Sequence, residues 1–338
     1  MNYITLLHES QMSINNARLA FLQQLKIDDA DELKTTIKRL FQKYGKGDEQ
    51  INTLLSEVKN ISKIRCAHII YTFLLGYYIY QQCNNLRKKI EQKTKELLNK
   101  AGHEHDFAFI WFLITLFHDL GYAEEDKGRK SRFGKTMASK LKLEQIDGVP
   151  SLYEKVYLDY FCYIKKVHKK TDHGIYAGLT MYKVLCDINR IKEWDEGIER
   201  LKPLYNLASW VVLSHNIWFV KDTDIDNCKI YQKYRLEQLI LKTNTNNGQN
   251  EIANYPIKLS QHPLLFLFCL VDLIEPMKRI GCMDCCDKID FRITKNKLII
   301  ESNLDCTSGK KYIENIASAN DWLIKTKKND NTVTISLA

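Results

Sequence analysis

Between residues 63 and 280 one long apolar run follows another, and most of them are interrupted by a histidine or an aspartate. The extreme case is EHDFAFIWFLITLFHDLG. Apart from Thr115, its stretch from Phe107 to Phe117 has no polar face to offer to water, so a helix made of it must lie at the centre of the fold. Its 11 residues fall short of the roughly 18 that a membrane-spanning helix needs. The neighbouring runs are SKIRCAHIIYTFLLGYYIYQQCNNLRKKIEQKTKELLNKAG (one helix or two), SLYEKVYLDYFCYIKKVHKKT, TDHGIYAGLTMYKVLCDINRI, PLYNLASWVVLSHNIWFV and SQHPLLFLFCLVDLIEPMKRI. HIIYTF and WVVL carry strand propensity, but the lengths of the runs and the scarcity of turn signals favour helix. Gly121 stands where a left-handed residue commonly closes a helix.

The flanks differ in character. Residues 1–62 read as short helices between polar turns; DDADELKTTIKRLFQKYGKG has acids first, bases last and glycines at its end. At the other end, KIDFRITKNKLIIES alternates about Lys295, Asn296 and Lys297 as a hairpin does, GKKYIENIASANDWLI is an amphipathic helix, and NTVTISLA is a final strand. The expected fold is therefore mainly α. It has an N-terminal helical segment (1–62), a helical-bundle core (63–286) and a small C-terminal α/β appendage (287–338).

Composition narrows the class. With 45% hydrophobic residues, 5 prolines and 14 glycines, the chain is neither collagen-like nor mostly disordered, and it can bury a sizeable core. Fifty Lys and Arg against 41 Asp and Glu give +9, a field that attracts a phosphorylated small molecule or a nucleic acid, although a lysine-rich surface also serves solubility. MNYITLLHES lacks the basic, apolar and small-residue regions of a signal peptide. With ten cysteines, this points to a reduced, cytoplasmic chain with no membrane segment. Cys66, Cys162 and Cys269 lie in apolar runs, where cysteine acts as a small buried hydrophobe.

The chemistry-bearing residues are the polar ones inside the apolar runs: His68, His118, Asp119, His173, His215 and Asp272. Buried imidazoles and carboxylates need partners. A single histidine of this kind is ordinarily a hydrogen-bonded core residue, and Asp272 alone would suit a salt bridge to arginine. What points beyond that is recurrence. Four histidines and two aspartates fall on successive helices, and bundle cores gather such residues into metal sites. Imidazole and carboxylate suit Mn, Fe, Co, Ni or Zn without choosing among them.

The order H…HD…H…H…D resembles that of the HD-domain superfamily of metal-dependent phosphohydrolases over roughly residues 63–280. The intervals are 50, 55, 42 and 57 residues. LITLFHDLGY carries the resemblance best, because the helix before the pair and the Leu-Gly after it match as well; DHGIYAG and LSHNIW resemble the segments of the two-metal branch. The resemblance implies an HD-type helical bundle. His68, His118, Asp119 and Asp272 would hold a first divalent transition metal, and Asp119 would bridge to a second held by His173 and His215. One or two such ions would generate a hydroxide and stabilise the oxygens of a displacement at phosphorus.

Basic residues for phosphate lie close in sequence. The stretch 126–136 carries Lys127, Arg129, Lys130, Arg132 and Lys135, and Lys278 and Arg279 follow Asp272; arginine can grip phosphate bidentately, and a solvated basic loop is the plain alternative. We take Lys127 with Asp119 and Glu124 as candidate catalytic residues, Glu124 as general acid or base, and Arg129, Lys130, Lys278 and Arg279 as candidate substrate-binding residues. GRKSRFGKT fails as a P-loop, because its glycines are one residue too far apart and no strand precedes it. Cys282, Cys285 and Cys286 lack a matching second pair for structural zinc. His103 and His105 sit at a helix start, His168 lies on a basic face, and His262, beside Pro263, stands at the beginning of its helix. Asp172 would either orient an imidazole or cap the helix that His173 opens.

Three functions follow as expectations. The first is hydrolysis of a phosphoester in a nucleotide, cyclic nucleotide or nucleic acid. Gly121-Tyr122 is followed by Ala123 rather than proline, so the cyclic-dinucleotide branch of the superfamily is not implied. The second is di-iron oxygenase chemistry on the same ligand set. The third is a non-catalytic nucleotide-binding or regulatory role, with the flanking segments free to mediate a homo-oligomer.

Overall fold

In the computed structural model the described residues are 52, 63–101, 107–122, 172–190, 195–216, 241–243, 252–254, 262–280, 288–303, 307–317, 326–329 and 331–337. The expectations for 1–51 and 53–62, for the helix within 151–171 and for the basic stretch 126–136 lie outside them. The described residues are mostly helical. Two compact units divide the chain: Met1–Asn99 with His103–Thr115 and Lys258–Ala338, and Lys100–Gly102 with Leu116–Ile257.

In the first unit, α1 (Lys63–Gln82) and α2 (Asn84–Ala101) follow each other across Cys83. The Cys83 amide donates to Ile79 and the Cys83 carbonyl accepts from Arg87, both at 2.9 Å, so the hydrogen-bond ladder runs on through the junction. Their sequences dictate different environments. From His68 to Tyr80 only Tyr78 is not fully buried, whereas α2 continues the buried stripe of Cys83 with Leu86, Ile90 and Thr94 and turns most of its lysines and glutamates to water. Helix α3 (Phe107–Phe117) is buried throughout, as its composition requires. Gly76 of α1 lets the Trp111 indole of α3 lie against the helix backbone, where a side chain would collide with it. The indole N–H donates to the Phe73 carbonyl at 2.9 Å. Phe107 stacks on Tyr80 at 3.7 Å, and Phe268 meets Trp111 edge-on at 5.9 Å. Phe268 belongs to α6 (Pro263–Ile274), whose every residue is buried. His262 stands at its N-cap with Pro263 in the first turn, as expected. Helix α7 (Pro276–Ile280) follows at once.

The C-terminal appendage is a four-stranded antiparallel sheet in the order β3-β4-β6-β5, with β3 Ile289–Thr294, β4 Lys297–Ser302, β5 Thr326–Asn329 and β6 Thr332–Ser336. The β3–β4 hairpin turns on Lys295 and Asn296, Lys295 adopting φ 55°, while Lys297 already pairs with Thr294. Helix α8 (Thr307–Ala317) buries Tyr312, Ile313 and Ile316, and the Tyr312 hydroxyl donates to the Ile274 carbonyl at 2.5 Å. The polar strand β5 escaped the sequence reading. Cys269 is buried as expected; the Cys66 side chain and Cys162 lie outside the described residues.

In the second unit, α4 (His173–Arg190) packs against α5 (Asp195–Ser214). Gly178 brings them close: a Cβ there would stand 2.6 Å from the Ser209 carbonyl oxygen and 2.7 Å from the Leu213 Cβ. Helix α5 starts eight residues earlier than the sequence suggests and holds Pro203 in its interior, because proline reads more naturally as a helix start. β1 (Leu241–Thr243) and β2 (Ile252–Asn254) form a short antiparallel pair that the sequence reading did not foresee. The expected role of Gly121 is corrected. Helix α3 ends at Phe117, and Gly121 does not take the left-handed conformation; it is small because the His173 backbone passes where its side chain would be.

Candidate metal centre

Helix α1 carries His68 and helix α6 carries Asp272, each inside an apolar run that admits no water, at 2% and 4% exposure. The His68 Nε2 lies 3.3 Å from the Asp272 Oδ1. On its other side, Nδ1–H donates to the Glu275 Oε2 at 2.6 Å. Glu275 follows α6 directly; its amide donates to Val271 at 2.9 Å, and the residue is fully buried. Burial alone would depress the His68 imidazole. The hydrogen bonds to Asp272 and Glu275 outweigh that and raise its pKa to about 9.

The turn after α3 presents His118 and Asp119. It is held by the Leu120 amide on the Phe117 carbonyl and the Tyr122 amide on the Asp119 carbonyl, at 3.0 and 3.2 Å. His118 Nε2 stands 3.2 Å from Asp119 Oδ1, both groups buried. His173 opens α4 and His215 follows the end of α5, so their helices deliver them from opposite ends of the sequence pair. The His215 ring lies 5.2 Å from that of His173 and 5.9 Å from that of His118, centroid to centroid. Its Nδ1–H donates to the Val212 carbonyl at 2.5 Å, which turns Nε2 into the lone-pair nitrogen. Tyr122 stacks on His173 at 3.8 Å and 20°, and the Asn216 Nδ2 lies 3.2 Å from the His173 Nε2. Asp172 fills the capping role: its Oδ1 accepts from the Ile175 amide at 3.0 Å. Gly174 makes room for His215, since a Cβ there would lie 2.8 Å from the ring.

His68, His118 and Asp119 form a buried group whose ligand atoms all lie within 4.8 Å of one another. Two imidazoles and a carboxylate, each out of water, are a donor set that suits a divalent transition metal. Of the remaining predicted ligands, Asp272 lies beside His68, His215 lies beside His118, and His173 lies beside His215. Glu124, Lys127, Arg129 and Lys130 lie outside the described residues, as does the Lys278 side chain. Arg279 is exposed and donates to the Leu273 carbonyl at 3.2 Å and the Asp272 carbonyl at 3.5 Å, a position that completes the end of α6.

Sequence reasoning overlooked Glu275, Tyr122 and Asn216. Glu275 had a signal: an acid one helical turn after Asp272, in the same apolar run and immediately before a proline. No family model, curated protein or solved structure matches the chain. No described helix is long and apolar enough to cross a membrane.

Proposed function

We propose that this protein is an HD-type, metal-dependent phosphohydrolase acting on a phosphoester of a nucleotide or nucleic acid. The observation that carries the reading is the buried group of His68, His118 and Asp119, which is also the H…HD part of the sequence pattern. Asp272 would complete the first centre, and His173 and His215 would hold a second ion. A divalent ion bound by these residues supplies Lewis acidity, lowering the pKa of water and stabilising charge on phosphoryl oxygens. The protein's own contribution is to keep the ligand set dry and pre-formed. Helices α1 and α6, and the helix α3 that precedes the His118–Asp119 turn, are too apolar to leave the core, so the ligands on or next to them would cost little further ordering when a metal arrives. Hydrogen bonding at Nδ1 leaves Nε2 as the nitrogen through which His68, and likewise His215, would bind an ion. The net charge of +9 favours an anionic substrate.

The test is elemental mass spectrometry on chain purified without chelator, followed by turnover of bis(p-nitrophenyl) phosphate and of a nucleotide panel with each ion added back. One or two equivalents of Mn, Co, Ni or Zn with metal-dependent phosphate release supports the reading. Paired iron with dioxygen uptake and no phosphate release would replace it with oxygenase chemistry. Absence of metal after supplementation would leave these residues as core hydrogen-bonding groups.

A further inference from the structure

Glu275 is absent from the H…HD…H…H…D pattern, yet it makes a short polar contact to His68. An imidazole that binds metal through one nitrogen must give up its proton on the other. The partner at that second nitrogen fixes the tautomer, the ring orientation and the basicity of the ligand. For His68 that partner is a carboxylate, fully buried, with its Oε2 2.6 Å from Nδ1. Thr72, one turn along α1, brings its hydroxyl only to 3.4 Å of the same nitrogen. Nε2 faces the other way, towards the Asp272 Oδ1 at 3.3 Å. The backbone holds Glu275 where it is: its amide closes α6 on Val271, and Pro276 begins α7 directly after it. The side chain reaches His68 from the same helix end that carries Asp272. A metal ligand and the group that orients its neighbour thus share one short segment, residues 272–275.

We infer that Glu275 is the positioning residue of the metal centre, holding His68 as the Nδ1–H tautomer so that Nε2 is the coordinating atom. This rests on the metal-centre reading above. A buried acid kept only for stability could be replaced in a folded variant with no change in metal affinity; an orienting acid could not.

The test compares the full chain with Glu275→Gln and Glu275→Ala. Affinity for Co2+ alone and Mn2+ alone is measured by competition with a chromophoric chelator, and folding of each metal-free protein is checked by far-UV circular dichroism. Glu275→Gln keeps an acceptor and loses the charge, so its affinity should fall about tenfold; Glu275→Ala should lose closer to 100-fold, within the range orienting partners command. Folded variants that bind as tightly as wild type overturn the inference while leaving the centre intact. A wild-type chain that binds neither ion removes the centre, and the inference with it. Should either variant not fold, 15N spectra of histidine-labelled, Zn2+-loaded wild-type protein decide instead. A protonated Nδ1 at His68 supports the assignment, and a protonated Nε2 overturns it.

Discussion

His68 should make the metal-free chain lose stability as the pH rises from the neutral range towards 9. His68 sits between Glu275 and Asp272, and its pKa is raised from 6.5 to about 9 because hydrogen bonds to the two acids outweigh burial. A group that binds its proton more tightly when folded stabilises the fold wherever that proton is present. The contribution is fully in place below about pH 6.5 and is lost as the pH climbs through 9. At about 1.4 kcal/mol per tenfold change in proton affinity, the difference comes to roughly 3 kcal/mol. That is a large share of the ~5–15 kcal/mol that holds a typical domain folded. Urea unfolding in excess chelator, at intervals from about pH 6 to 10, measures it. Subtracting the same series on His68→Gln removes the background of other groups that titrate near pH 9 to 10. The difference curve should fall by about 3 kcal/mol across the window. A flat or rising difference would refute the argument that His68 holds a proton between the two acids. The same proton must leave when a metal takes Nε2, so apparent metal affinity should climb about tenfold per pH unit between 7 and 9.

Three further outcomes are expected. Asp119→Ala should abolish metal binding and phosphate release together while far-UV circular dichroism stays near wild type; turnover at the wild-type rate would sink the ligand assignment. His173→Ala should lower the metal stoichiometry from two to one by elemental analysis, and unchanged stoichiometry and rate would reduce the centre to a single ion. Gly178→Val places carbon where Ser209 and Leu213 already stand at 2.6–2.7 Å, so α4 and α5 must part by about 1 Å to reach ordinary contact; overpacking of ~1–3 kcal/mol exceeds the few tenths that helix propensity returns, and a wild-type melting midpoint would contradict the close approach.

How legible the molecule was depends on what each residue had to announce. Helices α1, α3 and α6 were plain because their composition leaves them no other place than a core, and the β3–β4 hairpin was plain because Lys295 and Asn296 interrupt a strict alternation. The HD pair and its flanking histidines stood out for the reason that makes them costly: polar groups in apolar runs. Strand β5, TKKN, gave no such signal, since an edge strand takes its conformation from the ladder it joins to β6 rather than from its own side chains. Helix α5 reads as shorter than it is because Pro203 mimics a start, and nothing local says that the preceding turns continue the same helix. Gly121 illustrates a further limit. Its smallness answers to the His173 backbone, 52 residues away in the chain, and no local pattern encodes that encounter.

The residues that gather around His68 set a charge balance that proton and metal would satisfy differently. Asp272 and Glu275 bring two carboxylates to one buried imidazole, and charge taken out of water must be balanced nearby. A proton on His68 balances one of the two. A divalent cation on Nε2, with His68 neutral and Nδ1–H still on Glu275, balances both and keeps the shorter hydrogen bond. The metal-free arrangement is thus one proton's charge short of the arrangement a divalent ion would give. Loading with Zn2+ should therefore raise the unfolding midpoint more at pH 9, where His68 is giving up its proton, than at pH 6, where the ion must displace it. A metal effect equal at the two pH values would mean that ion and proton do not compete for His68, and that the ligand set assembled here is held together by something other than the cation.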